Sequence, residues 1–198
     1  MSDTAVNQTK RTWLIATGCV GAAGGIATAV PFVSSLEPSE RAKAAGAPVE
    51  VNISGIKPGE KIIVEWRGKP VWVMRRTPAE LASLKTDDSE LSDPNSDRTA
   101  YPNPPYVKNQ WRSIKPEYLV VIGICTHLGC SPGDKFQPGP QPGLPNDWPG
   151  GFLCPCHGST YDLAGRVFKN KPASDNLQVP PYKYLTDASI LIGDDTKA

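Results

Sequence analysis

Nearly all the soft-ligand capacity of this chain sits in two short segments, CTHLGC from Cys125 to Cys130 and CPCHGS from Cys154 to Ser159. The sequence has only two histidines, His127 and His157, and both fall inside these segments, together with four of the five cysteines. Cys125 with His127, and Cys154 with His157, each bring a thiolate and an imidazole close together in the chain. Four ligands of this kind suit a tetrahedral zinc ion. They equally suit a two-iron cluster with both cysteines on one iron and both histidines on the other. Cys130 and Cys156 bear on the choice, because they bring the candidate donors to six, two more than a structural zinc site uses. In an oxidising compartment the same pair can instead bond to each other and staple the two segments. Ligand count therefore favours the cluster over zinc.

These donors need strands to present them. YLVVIGIC reads as a buried strand delivering Cys125, and GGFLCPC as a second delivering Cys154. YDLAGRVF reads as a hairpin turning at Ala164-Gly165, and LQVPPYKYL and SILIG as closing strands. Upstream, VEVNIS, KIIVEW and PVWVMRR are rich in β-branched and aromatic residues, with RGKP as a turn, and they read as a meander. Thr77-Pro78-Ala79-Glu80 has capping-box form, which predicts a short helix to about Lys85. DDSELSDPNSDR reads as a polar surface loop. The sum is a mainly β, antiparallel domain with short loops at one end. Its 21 prolines and 18 glycines fit short strands and shaped loops better than a helical bundle. With 21 basic and 20 acidic residues, the chain lacks the positive surplus that nucleic-acid binding needs.

The N-terminus differs in character. No charge appears from Trp13 to Val33, a run long enough to cross a bilayer as one helix. The expected organisation is a cytoplasmic N-terminus at 1–11, a transmembrane anchor helix at 12–33, a flexible tether at 34–48 and an extracytoplasmic domain at 49–198. Lys10 and Arg11 precede the span, so the positive-inside rule keeps the N-terminus in the cytoplasm. TKRTWLIA also looks like a Lys-Arg variant of a twin-arginine export signal. The alternative is a cleaved signal peptide ending near Ala44 to Ala47, but the apolar run exceeds the usual signal core. The glycines of this helix, and Cys19 among them, read as a packing face without chemistry. The tether is punctuated by Pro38, Gly46 and Pro48, and fully extended it spans about 45–50 Å.

CTHLGC and CPCHGS resemble the two halves of a Rieske [2Fe–2S] motif. WRSIKPEYLVVIGICTHLGC is similar to the iron–sulfur subunits of bacterial respiratory quinol:cytochrome c oxidoreductases, and the resemblance runs from anchor through tether to cluster domain. It implies a Rieske-type antiparallel β-sandwich with a cluster-binding loop subdomain and one [2Fe–2S] cluster. By this resemblance Cys125 and Cys154 ligate the inner iron, His127 and His157 ligate the outer iron and serve quinol chemistry, and Cys130 bonds to Cys156. Ser159 and Tyr161 match family positions that hydrogen-bond a bridging sulfide and a cysteine sulfur. Leu128, Gly129, Pro155 and Pro172 either supply an apolar docking surface for a quinol beside the two histidines or serve loop packing alone. KPASDNLQVP falls where the family has a proline loop opened by Gly-Pro, and Lys171 stands in place of that glycine.

The chemistry of such a centre is intelligible from its ligands. Two ferric ions, two sulfides, two thiolates and two neutral imidazoles sum to about zero charge, against about two negative for an all-cysteine cluster. The mixed cluster is easier to reduce, in a range of about −150 to +300 mV. Each imidazole keeps one nitrogen off the iron, so a histidine can take a proton as the cluster takes an electron.

The implied function is to accept one electron and a proton from ubiquinol and pass the electron to a c-type cytochrome. The implied setting is a bacterial inner membrane, with the cluster domain in the periplasm. The implied partners are cytochrome b and c-type cytochrome subunits of a dimeric complex. The chain has no Cys-x-x-Cys-His haem-attachment motif, so the acceptor haem belongs to a partner. The Rieske modules of oxygenases and their ferredoxins form another class, but those lack the stapling cysteines and a membrane anchor. Small redox subunits such as those of arsenite oxidase or the plastoquinol complex form a third. The SPGDKFQPGPQPGLPNDWPGG insertion between the motifs favours the respiratory class.

Overall fold

A computed structural model describes residues 7–85 and 88–196. The chain divides into two compact units, residues 1–44 and 45–198. The first is dominated by α1 (Gln8–Ser34), whose N-cap Asn7 accepts a hydrogen bond from the Lys10 N–H. Its 27 residues span about 40 Å, more than the roughly 30 Å of a hydrocarbon core. Trp13, Leu14 and Phe32 are exposed along it, and the helix is long and apolar enough to cross a membrane. It begins before the 12–33 span read from the sequence. Within the 34–48 segment a second short helix forms, α2 (Glu40–Ala45). The segment has no apolar period, yet ERAKAA is rich in helix formers and carries an ion pair between Glu40 and Lys43.

The second unit is built from three antiparallel three-stranded sheets around a common core. In chain order its elements are β1 (Val49–Asn52), β2 (Lys61–Trp66), β3 (Lys69–Arg75), α3 (Pro78–Ser83), β4 (Tyr118–Ile122), β5 (Gly133–Lys135), β6 (Gly151–Leu153), β7 (Thr160–Tyr161), β8 (Tyr182–Thr186) and β9 (Ser189–Ile192). The sheets run β2-β3-β4, β1-β9-β8 and β5-β6-β7. The architecture is mainly β, with the third sheet carrying the cysteine loops.

The meander expected of the first three strands does not form. β2 and β3 make the hairpin turned by Arg67-Gly68, but β1 pairs with β9, Val51 opposite Ile190. Ile53 N–H extends that ladder to Ala188 O, and Val51, Ile53, Ile190 and Ile192 are all buried. Burying this apolar set selects the distant partner, which periodicity along the chain does not encode. β5 lies in the insertion and has no strand-like composition, yet its Gly133 faces Leu153 of β6. LQVPPYKYL becomes a strand only from Tyr182, because Pro180 and Pro181 have no N–H for a ladder.

α3 has the expected capping box, with Thr77 Oγ1 accepting from Glu80 N–H and Glu80 Oε2 from Thr77 N–H. The loop read as polar surface is partly interior. Asp93 and Ser96 are buried, and Leu91 bridges to Phe168. Three arginines share that interior. Arg76 donates to the carbonyls of Trp111, Leu163 and Tyr118. Arg112 donates to those of Ala164, Gly165 and Leu177, and Arg166 pairs with buried Asp162. Burial pulls Arg76 and Arg112 down to about 10, opposed by the Asp162 charge. Arg76 and Arg112 therefore stay cationic at neutral pH, held by oxygens aimed at them.

Candidate functional site

β4 ends at Ile122, and Gly123 lets the chain pass the Trp72 indole closely. A Cβ there would lie 2.1 Å from that ring. The chain then enters the first cysteine loop, and the second leaves β6 after Leu153. The two loops fold alike. Cys125 N–H donates to Cys130 O, and Gly129 N–H donates back to Cys125 O. Cys154 N–H donates to Ser159 O, and Gly158 N–H donates back to Cys154 O. Gly129 and Gly158, with φ of +86° and +75°, supply the left-handed residue each turn requires. The kinship of CTHLGC and CPCHGS is thus a shared backbone frame, with Cys125 matching Cys154 and Gly129 matching Gly158. The histidines occupy different places in the frame, third in one loop and fourth in the other.

Cys130 and Cys156 form a disulfide, with Cα atoms 6.6 Å apart. Cys154 Sγ lies within 4.8 Å of both of their sulfurs, but atoms bonded to each other offer no thiolate, so this trio is not a metal site. The usable donors are Cys125 and Cys154, both free and buried, and the two imidazoles. His127 and His157 meet edge to face with ring centroids 4.8 Å apart. His157 is exposed and His127 half-buried. Burial, and then neighbouring Cys125, push the Cys154 thiol up. A cationic centre between the two sulfurs relieves that penalty. Sulfur donors inside and nitrogen donors at the surface suit a two-iron cluster with differentiated irons.

Tyr161 on β7 is fully buried, and its hydroxyl lies 3.2 Å from Cys125 Sγ while accepting from Thr126 N–H. Burial, reinforced by Cys125, pushes this phenol well above its usual range, so it keeps its proton. Ser159 is also buried, and its Oγ accepts from Ala173 N–H at 3.0 Å. Leu128 is 72% exposed, and Gly129, Pro155 and Pro172 are exposed as well. Lys171 causes no backbone strain in place of glycine, because the left-handed residue here is Asn170, at φ 58°. A groove of about 560 Å³ lined by Trp148, Phe168 and Lys171 contains none of the four donors. Sequence reasoning missed Thr126, whose Oγ1 donates to Asp175 O at 2.6 Å, and Asn176. Neither residue type signals a role from sequence.

Comparison with known proteins agrees with this geometry. Residues 98–182 match the Rieske [2Fe-2S] domain family. Residues 1–39 match a family described as the ubiquitinol-cytochrome C reductase Fe-S subunit TAT signal. The ubiquinol-cytochrome c reductase iron-sulfur subunit of Allochromatium vinosum is 56% identical over 98% of this chain and 93% of its own. That of Blastochloris viridis is 43% identical over 97% of this chain and 96% of its own. Among solved structures, a chain from a "Hyperthermophilic respiratory Complex III" is 28% identical, covering 89% of this chain and 97% of that one, with a TM-score of 0.45. Identity at this level, sustained from the N-terminal helix through both cysteine loops, means that the chain belongs to the family of ubiquinol-cytochrome c reductase iron-sulfur subunits and carries a Rieske [2Fe–2S] cluster.

Proposed function

We propose that this chain takes one electron and one proton from ubiquinol and hands the electron to a c-type cytochrome, as the iron–sulfur subunit of a membrane-bound reductase. Cys125 and Cys154 would hold the inner iron in this reading, and His127 and His157 the outer one. The observation that carries it is the layering of the site, with both thiols buried, the His157 imidazole exposed, and half-buried His127 followed in the chain by exposed Leu128. When bound, the cluster accepts and releases one electron at a time. The chain's own groups do the rest. An imidazole nitrogen not used as a ligand would accept a hydrogen bond from the quinol hydroxyl and take its proton. Leu128, Gly129, Pro155 and Pro172 offer that quinol an apolar approach. The Cys130–Cys156 bond holds the two donor loops together.

The rest of the quinol pocket and the acceptor haem then belong to cytochrome b and c-type cytochrome subunits of a dimeric complex. Detergent-solubilised membranes provide the test. Purification through a tag on this chain is expected to bring haem-bearing b and c cytochromes with it, and the reduced sample to give an iron–sulfur electron spin resonance signal. A chain that purifies alone, with zinc and no such signal, overturns the reading.

Residues 1–11 lie in the cytoplasm and the cluster domain in the periplasm in this arrangement, joined by the 12–33 span and the 34–48 tether. One fixed position poorly serves both a quinol in the membrane subunit and a haem outside it, so the tether swings. Prolines placed between Arg41 and Ala45 stop α2 from forming and stiffen the segment. Steady-state turnover is expected to fall several-fold, with the cluster spectrum unchanged. Undiminished turnover would make the segment a passive linker.

A further inference from the structure

The segment from Lys171 to Leu177 has no regular structure, yet its far end is pinned inside the domain. Asn176 is 4% exposed. Its Oδ1 accepts from Val167 N–H at 2.9 Å, and its Nδ2 donates to Asp93 O at 2.8 Å and to Ser96 Oγ at 3.1 Å. One side chain thus joins this segment to the hairpin after β7 and to the interior loop at Asp93–Ser96. Arg112 fixes the same junction, donating to Ser96 Oγ and to Leu177 O. Three residues before Asn176, buried Ala173 gives its N–H to Ser159 Oγ.

That last bond constrains a proton. An oxygen accepting from Ala173 N–H cannot turn its own O–H toward Ala173, so the Ser159 proton points elsewhere. Accepting a bond also polarises the hydroxyl into a stronger donor. The aim and strength of Ser159 as a donor therefore depend on where Ala173 sits, and Asn176 is the buried side chain that holds that segment in place. At its far end Leu177 N–H donates to Gly165 O in the interior, while the ties from Arg98 to Ser174 O and from Thr126 to Asp175 O lie nearer the surface. Tyr161 meets the same segment by a different route, accepting from the N–H of Thr126, whose Oγ1 donates to Asp175 O.

We propose that Asn176 is a positioning residue for electron acceptance, acting through Ala173 and Ser159 to set the reduction potential of the cluster. The proposal rests on the reading that Ser159 donates to a cluster sulfur. Voltammetry of the cluster-loaded protein tests it on Asn176→Ala, Ser159→Ala and the double variant. Asn176→Ala is expected to lower the potential by part of the Ser159→Ala decrease, and the double variant to match Ser159→Ala alone. An Asn176→Ala protein that melts earlier but keeps the parent potential would show a purely structural role and overturn the proposal. So would a double variant whose decrease is the sum of the two. If Ser159→Ala itself leaves the potential unchanged, the Ser159 reading falls and the proposal with it. That outcome is distinct from one in which only Asn176→Ala is silent. Should Asn176→Ala fail to hold its cluster, Asn176→Ser, which keeps a polar group too short to bridge the two segments, gives the same comparison.

Discussion

The Cys130→Ser, Cys156→Ser double variant is expected to melt about 10 °C below the parent and to lose its cluster faster. The bond joins positions 26 residues apart, and on the chain-entropy account a closure of that length contributes about 3.5 kcal/mol by restricting the unfolded chain. In a domain of this size each kcal/mol is worth roughly 2–4 °C. Cluster retention falls for a second reason. The donor loops leave different strands, β4 and β6, and the short β5–β6 ladder pairs the chain just after the first loop, Gly133 to Lys135, with the strand that leads into the second. Without the disulfide, Cys125 and His127 can drift from Cys154 and His157. Calorimetry and the decay of the visible absorbance in air measure the two effects. A melting temperature and decay rate equal to the parent's would mean that the bond holds nothing together.

Ser159→Ala and Tyr161→Phe are each expected to lower the reduction potential by roughly 40–90 mV, from a differential of about 1–2 kcal/mol per hydrogen bond to a charged acceptor. An added electron spreads charge onto sulfur, so a hydroxyl donated there stabilises the reduced state more than the oxidised one. The geometry leaves both protons free for this. Tyr161 O already accepts from Thr126 N–H, with Cys125 Sγ at 3.2 Å, and Ser159 Oγ already accepts from Ala173 N–H. Thr126 Oγ1 is also 3.2 Å from the Tyr161 hydroxyl. Its own proton goes to Asp175 O, which makes it a rival acceptor and places Tyr161 toward the lower end of the range. Quinol oxidation slows in both variants, since a lower potential leaves less driving force. Potentials within about 10 mV of the parent would reduce the two hydroxyls to satisfying backbone groups.

The sequence by itself marked the candidate donors, because ligand chemistry depends on residue type and short spacing, and CTHLGC and CPCHGS carry both within six residues each. It also determined the apolar helix, the β2–β3 hairpin, the Ala164-Gly165 turn and the Thr77 capping box, all set by neighbours in the chain. Tertiary structure alone decided that β1 pairs with β9 rather than β2, since that choice turns on burying Val51 against Ile190 from the other end of the domain. It decided that Asp93 and Ser96 lie inside, where Arg112 and Asn176 reach them and make burial of polar groups tolerable. It decided that a three-residue strand with no strand-like composition pairs with β6. It also revealed that the two cysteine loops share one backbone frame. Hydrogen bonds and burial between residues far apart in sequence leave no local periodicity to read, so only the folded chain could show which polar groups meet.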